Sequence, residues 1–413
     1  MLGDFIVTHV ARRKIPKLLK FEYPKGSVFH KEKKRTPILM YIHVPFCEEL
    51  CPYCSFHRFP FDKDLAKRYF YALRKEIFLY RDLGFKFDGV YVGGGTPTIL
   101  IDELIETLNL TKKNFQIREI SVETNPNHLN EKNLKLLLEV GVKRLSIGVQ
   151  SFDDAILKSV ERYHKYGSGE EIKEKIMAIN GMFHTVNIDM IFNFPHQTVK
   201  SIENDLNIIR TIGVNQVTFY PLMISSYTRS KLEKKLGRVD FKRERKFYEI
   251  ILRELEKDFF PATAWCFSKD EGMIDEYVVN YDEYAGLGCG SIGYVDGYAY
   301  ANTFNISQYI LKVEDGEIPI SGIRHYKLRE RVRYDFLMKL FGLKLDLDEL
   351  DRKYGISSRK FLFLEIMLFT ALGALRIKGS KLSLTRNGLY YWVIMMREFF
   401  TAVNNFRDFL RGF

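Results

Sequence analysis

The sequence predicts an α/β fold: a partial, TIM-like (β/α)6 barrel followed by a mostly helical, winged-helix-like C-terminal domain. Three observations predict it. Between residues 38 and 222, short β-rich runs alternate with amphipathic helical stretches. Polar and glycine-rich motifs fall directly after several of those runs, where barrel enzymes carry their chemistry. Beyond Tyr220 the alternation stops and charged helical patterns take over.

The strand candidates are Ile38–Val44, Gly89–Val92, Glu119–Glu123, Arg144–Val149, Val186–Ile191 and Gln216–Tyr220, each rich in β-branched or aromatic residues. Between them Leu65–Arg81, Ile101–Leu110, Glu131–Val140, Gly169–Ile179 and Val199–Ile212 carry apolar residues at helical spacing. Strands and helices in this order build parallel βαβ units. Residues 240–257 read as a charged amphipathic helix, followed by a Gly- and Tyr-rich segment, Tyr281–Ser291. Leu382–Leu389 reads as a strand and turn inside the C-terminal helices. The expected division is a basic N-terminal arm over 1–37, the barrel over 38–225, an extension with the Gly-rich segment over 226–325 and the C-terminal domain over 326–413.

Composition narrows the class. Of 413 residues, 46% are hydrophobic and 28% charged, an ordinary globular mixture that excludes a disordered chain. No run of eighteen apolar residues occurs, and the N-terminus lacks the order of a signal peptide, so a cytoplasmic location is expected. Residues 1–35 hold ten Lys or Arg against three acids, more than half of the net charge of +11. The excess is local, and no aromatic–basic interleaving marks a base-stacking surface, so nucleic acid is not an expected partner.

Three of the five cysteines crowd into Cys47-Glu-Glu-Leu-Cys51-Pro-Tyr-Cys54, directly after the first strand. Three thiolates on one short loop ligate three irons of a 4Fe-4S cubane and leave the fourth iron open. That iron can bind the amino and carboxylate groups of S-adenosylmethionine (SAM) and pass an electron to its sulfonium, giving methionine and a 5′-deoxyadenosyl radical. The step requires an electron donor, a reductase, ferredoxin or flavodoxin. Zinc is the alternative, with His57 as fourth ligand. Cys266 and Cys289 stand apart and read as small buried hydrophobes.

Further along, Gly93-Gly94-Gly95-Thr96 follows the second strand, where absent side chains let backbone approach a ligand. Glu123 and Asn125 end the third strand, Gln150 ends the fourth, Arg162 lies on the helix after it, and Asp189 falls within the fifth. Taken singly, each polar residue is usually a cap or a solvent contact. Recurring at one end of successive units, they read as a ring around one ligand.

These motifs resemble the HemN/HemW group of radical SAM proteins over roughly residues 38–310. The matching segments include Tyr41-Ile-His-Val-Pro-Phe-Cys47, Gly93-Gly-Gly-Thr-Pro-Thr98, Arg144–Phe152, Asn187-Ile-Asp-Met-Ile191, Phe194–Thr198 and Gly286-Leu-Gly-Cys-Gly290. The resemblance implies a (β/α)6 barrel with a helical C-terminal domain. It implies that Gln150, Arg162 and Asp189 hold the cluster-bound SAM, and that some members bind a second SAM. Glu123 is the candidate for the gap between the two. Tyr41 either closes over the sulfonium or packs within the barrel.

Three activities of that group compete. Coproporphyrinogen decarboxylation of the HemN type goes with a further cysteine where this chain has Phe56. Haem chaperoning of the HemW type goes with a histidine motif before the Gly-rich segment, where this chain reads Ile274–Val279 and has none. HemN-like class C methyltransferases need neither signature, and Trp265-Cys-Phe-Ser268 resembles those that methylate menaquinone at C8. The expectation is therefore C-methylation of an sp2 carbon of an aromatic, quinone-like substrate with two SAM molecules. Oxygen-independent coproporphyrinogen III oxidation and non-enzymatic haem chaperoning are the alternatives.

The basic arm bears on that choice. Phe5, Ile6, Val10, Ile15, Leu18 and Leu19 among Arg12, Arg13, Lys14, Lys17 and Lys20 suit peripheral contact with the inner face of an anionic membrane, and Trp392–Phe413 offers a second such surface. Ordinary packing on the barrel is the alternative for both.

Overall fold

The computed structural model describes residues 2–31, 36–54, 56–270 and 281–410. The stretch Ile274–Val279 and the aromatic Phe413 lie outside those residues. One twelve-stranded sheet forms the centre. Its barrel strands are β1 (Ile38–Val44), β2 (Phe87–Gly94), β3 (Glu119–Thr124), β4 (Arg144–Gln150), β5 (Thr185–Phe192) and β6 (Gln216–Pro221). All are parallel and adjacent in chain order. Helices Lys63–Asp82, Ile101–Asn114, Glu131–Val140, Gly169–Met177 and Val199–Thr211 connect them, within a few residues of the expected bounds.

The sheet continues past residue 225 on both sides. After two-residue strand β7 (Phe260–Pro261), β8 (Cys266–Ser268) pairs antiparallel with β6. On the other side β9 (Tyr284–Leu287) pairs parallel with β1, and β10 (Ile292–Val295), β11 (Tyr298–Asn302) and β12 (Ile320–His325) follow antiparallel. The Gly-rich segment is thus a seventh parallel strand and its exit. Glycine there is a packing requirement, because a Cβ on Gly286 would lie 2.4 Å from the carbonyl oxygen of Ile292.

Glu76, inside helix Lys63–Asp82, ties that exit to the barrel. Its wholly buried carboxylate accepts the Gly288 N–H (2.8 Å), the Asn302 amide (3.0 Å) and the Tyr309 hydroxyl (2.6 Å). Asp205, in helix Val199–Thr211, does the same for the end of β4, accepting the Ser151 hydroxyl (2.9 Å) and the Phe152 N–H (2.8 Å). Ser151 therefore secures the barrel rather than facing a ligand.

The C-terminal region carries a small sheet, Lys344–Asp346, Leu375–Lys378 and Lys381–Leu384, beside helices Leu347–Tyr354 and Phe363–Ala371. Helix Arg386–Leu410 then runs back along the barrel. The N-terminal helix Leu2–Lys14 lies on it, with Val7, Ala11, Ile15 and Leu19 buried and the last three clustered with Ala402 and Val403. Arg12 pairs with Glu398 at 2.9 Å, Glu398 with Arg397, and Arg397 with Glu244, the last three buried. Val7, Ala11, Ile15 and Leu19 of the arm thus face protein, while Leu2 and Phe5 are exposed. The aromatic tail is mostly packed too: Phe400 stacks near Trp265, and Phe406 meets Phe21 and Phe304. No helix among the described residues is long and apolar enough to cross a membrane.

Burial pushes the carboxyls of Glu76 and Asp205 up to about 7. The folded chain then binds these protons more tightly than the unfolded chain, so stability falls as pH rises through that window. The denaturation midpoint should drop from about pH 5 to about pH 8, and Glu76→Gln should flatten the slope. An equally steep slope in the variant would remove Glu76 as a source.

Candidate functional site

The barrel strands alternate, one set of side chains toward the helices and the other into the lumen. Lumen positions carry Tyr41 and His43 on β1, Tyr91 and Gly93 on β2, Glu123 on β3, Arg144 and Ser146 on β4, Asn187 and Asp189 on β5, and Gln216 and Thr218 on β6. At the C-terminal end of the strands the cysteine loop leaves β1 and crosses toward β2.

That loop is held by backbone. Gly95 N–H donates to Val44 (2.8 Å), Thr96 N–H to Phe46 (2.7 Å), and Phe59 and Phe61 N–H to Pro45 (2.6 Å) and Cys47 (2.8 Å). The glycines serve this approach. A Cβ on Gly95 would lie 2.5 Å from the Phe46 oxygen, one on Gly93 2.7 Å from the Glu123 carboxylate, and one on Gly94 2.8 Å from the His43 ring. Gly94 also has φ +120°. The N–H groups of Gly94, Gly95 and Thr96 are engaged by protein, so any ligand meets this turn through its carbonyls and the Thr96 side chain.

Side chains close a circuit between two cysteines. Thr96 Oγ1 stands 3.8 Å from Cys47 Sγ and accepts the Asn125 amide at 2.8 Å. Arg162 donates to Asn125 Oδ1 (3.4 Å) and to the Gly148 carbonyl, and reaches Tyr53 (3.3 Å) and Cys51 Sγ (3.8 Å). Lys165 Nζ lies 3.7 Å from the same sulfur. Arg58 donates to the carbonyls of Cys51 (2.6 Å) and Cys54. Gln150, at φ +75°, turns its amide over Gly148, 3.0 Å from where a Cβ would sit.

These groups fit an anionic cluster. Burial pushes the Cys47 thiol up to about 12, with a Cys54 thiolate adding to the shift, so bare thiolates gather here only around a cation such as iron. Burial opposes the charge of Arg58 and of Arg162, but the cysteines around the first, and Tyr53, Tyr166 and Cys51 around the second, keep both protonated. Nε and Nη1 of Arg58 and Nε of Arg162 are buried without a hydrogen-bond partner among the described residues, which leaves donors for an anionic ligand. His57 does not complete a zinc set. Its Nε2 stands 3.5 Å from Cys289 Sγ, and its ring is wedged between Phe59 and Phe304. Cys266 and Cys289 are wholly buried.

Deeper in the lumen lies a second group. Glu123 accepts the Tyr91 hydroxyl (2.8 Å) and the Gly94 N–H (3.1 Å), so one carboxylate joins the lumen to the glycine turn. Asp189 accepts Ser146 (2.9 Å) and the Asn187 amide (2.8 Å). Burial, and then the charge of Asp189, push Glu123 up to about 7. Tyr41 hydrogen-bonds His43 Nδ1 at 2.9 Å, and His43 Nε2 meets the His57 carbonyl at 2.8 Å. Burial holds His43 down at about 4, so it is a neutral imidazole. Tyr41 is thereby part of the lumen wall.

Comparison with known proteins accounts for this arrangement. Residues 41–209 match the radical SAM superfamily model. The chain carries a radical SAM domain. It is 28% identical over 334 residues to the haem chaperone HemW of Bacillus subtilis, covering 78% of this chain and 85% of that protein. It is 27% identical over 355 residues to the oxygen-independent coproporphyrinogen III oxidase of Cereibacter sphaeroides, covering 78% and 76%. An anaerobilin synthase from Escherichia coli O157:H7 is 26% identical over 76% of this chain and 73% of its own length. The solved coproporphyrinogen III oxidase HemN of Escherichia coli superposes with a TM-score of 0.76 over 92% of this chain and 95% of its own, at 20% identity, so the fold is shared. Radical SAM proteins of this HemN/HemW kind use a 4Fe-4S cluster and SAM.

Of the residues expected from sequence, Cys47, Cys51, Thr96, Gln150 and Arg162 gather around the loop, and Glu123, Asp189 and Tyr41 line the lumen beneath. Asn125, expected from the end of the third strand, joins them, and Arg58, Lys165, Tyr53 and Tyr91 complete the site without having been singled out. Arg58, four positions after Cys54, was visible as a cation beside three thiolates. Arg162's neighbour Lys165 gave no signal before the short helix Tyr163–Tyr166 placed it.

Cys51→Ala should abolish cluster absorbance near the visible shoulder and SAM cleavage together. Gly95→Ala, which drives a methyl into the Phe46 backbone, should lower cluster loading severalfold after reconstitution with iron and sulfide. Full loading of Gly95→Ala would mean that the loop does not need this close approach.

Proposed function

We propose that this radical SAM enzyme abstracts hydrogen from a tetrapyrrole-class substrate, in the manner of an oxygen-independent coproporphyrinogen oxidase. The bound cluster and SAM supply a 5′-deoxyadenosyl radical; Cys47, Cys51 and Cys54 ligate iron, while Arg58, Arg162 and Gln150 steady the anionic groups around it. The observation that carries the substrate class is the lumen beneath the loop, with Glu123 and Asp189 both engaged by neutral donors and facing inward. Such carboxylates accept pyrrole N–H donors. A quinone offers only carbonyl acceptors, and ionised Glu123 and Asp189 have no donor to give them. Arg144 in the same lumen and Arg407 at its edge supply cations for substrate carboxylates. The relatives named for coproporphyrinogen, haem and anaerobilin support the same class.

Methyl transfer rested on Phe56 in place of the HemN cysteine and on the missing HemW histidine motif, and the choice of menaquinone on Trp265–Ser268. That segment packs in the core: Trp265 is fully buried against Phe341, Phe400 and Tyr220, and Cys266–Ser268 is a sheet strand. Its residues are explained without a quinone.

The test is an anaerobic incubation of reconstituted, reduced protein with SAM and coproporphyrinogen III, and in parallel with a short-chain menaquinone and methyl-deuterated SAM. Loss of carbon dioxide from coproporphyrinogen with 5′-deoxyadenosine is the expected result, and deuterated methylmenaquinone would replace this reading. A stable, stoichiometric haem complex without turnover of either would favour a carrier. Glu123→Gln should remove an inflection near pH 7 from the kcat/KM profile, since the wild-type carboxyl is protonated below it and ionised above.

A further inference from the structure

The C-terminal helix Phe363–Ala371 turns a greasy face to water. Phe363, Leu364 and Met367 are 60%, 57% and 52% exposed, while Leu362 and Phe369 point into the core. With Ala371 they fall at helical spacing on one stripe, and exposed Lys360 precedes them on the short helix Ser358–Phe361. Ile377, on the neighbouring strand Leu375–Lys378, is 41% exposed. Large apolar side chains grouped this way on a folded chain mark a contact surface.

Its rim is basic. From Arg359 to Lys381 the chain has five cations, Arg359, Lys360, Arg376, Lys378 and Lys381, all exposed, against one acid. That acid, Glu365, is bridged to Arg333 at 2.6 Å. Arg359 also donates to the Gly379 carbonyl at 2.6 Å, which draws the hairpin's basic turn beside the start of the helix.

We infer that this face seats the protein on an anionic lipid surface, with Phe363, Leu364 and Met367 entering the headgroup boundary and the basic rim meeting lipid phosphates. Lys381 faces Asp346 across the small sheet, which leaves Arg359, Lys360, Arg376 and Lys378 as the cations of the rim, and a bilayer with acidic headgroups matches these and the apolar stripe at once. No described helix can span a membrane, so the contact is peripheral. The buried stripe of the arm takes no part.

The probe is co-flotation of reconstituted full-length protein with vesicles of phosphatidylcholine alone or with about a third phosphatidylglycerol. Binding should require the anionic lipid and weaken with salt. A Phe363→Ser, Leu364→Ser, Met367→Ser variant should lose binding at least ~10-fold, and so should Lys360→Glu with Arg376→Glu, at roughly 1 kcal/mol per charge near the surface or more. Both variants must keep wild-type cluster absorbance and SAM cleavage. Replacing Arg13 and Lys14 with Ala should cost less than either. Three results would overturn the inference: equal flotation of wild type and the Ser variant, binding indifferent to anionic lipid, or a wild-type dimer that the Ser substitutions split into monomers without any vesicle binding.

Discussion

Three thiolates on a partly buried loop are the constraint on which the rest of this protein depends. Such a gathering is unfavourable unless metal and fixed cations offset it, and the surroundings are arranged accordingly. Arg58 sits behind the loop, Arg162 and Lys165 in front, and the backbone of the glycine turn holds it to β2. The glycines are therefore not an empty cradle. They are places where one segment of backbone lies so close to another that no methyl fits. Ligand-facing character passes to the Thr96, Asn125 and Arg162 side chains, which link two of the sulfurs through the ends of three successive strands.

Much of this was legible in the chain because barrel strands have a strong local signature. β1 and helix Glu131–Val140 fall on the expected residues, and the remaining barrel elements differ by one to four at their ends. The cysteine spacing after a strand, with the glycine and polar motifs that follow, pointed to the cluster rather than zinc. What sequence did not disclose came from tertiary contact. β9 was hidden because Gly286 and Gly288 lower strand propensity, and only the packing on Ile292 and Tyr69 explains them. The arm read equally well as a membrane helix or a packed one, since an apolar stripe is the same in both. Only its partner, some 390 residues away, shows which of its side chains are buried. Trp265 misled for the same reason, as an aromatic in a core strand and one at a substrate look alike until burial is known.

The lumen is lined by polar side chains that hold one another in place. Its inward residues are bonded in short ladders, Glu123 with Tyr91, Asp189 with Ser146 and Asn187, Asn187 with Thr218, Arg144 with Gln216. Most of these side chains are fixed by a neighbour on the next strand, and Arg144 by Gln216 two strands on, so the wall is polar yet preorganised. Tyrosine hydroxyls that bond to Glu123 and His43 are held in place rather than free to swing toward the reacting carbon.

The pairing of Arg12 with Glu398 spans 386 positions of chain. Contacts of such range cost the most loop entropy and form late. A ribosome must therefore deliver almost everything between them before the arm can settle, and until then Val7, Ala11 and Ile15 stay open to water and to chaperones. The barrel strands need no such wait.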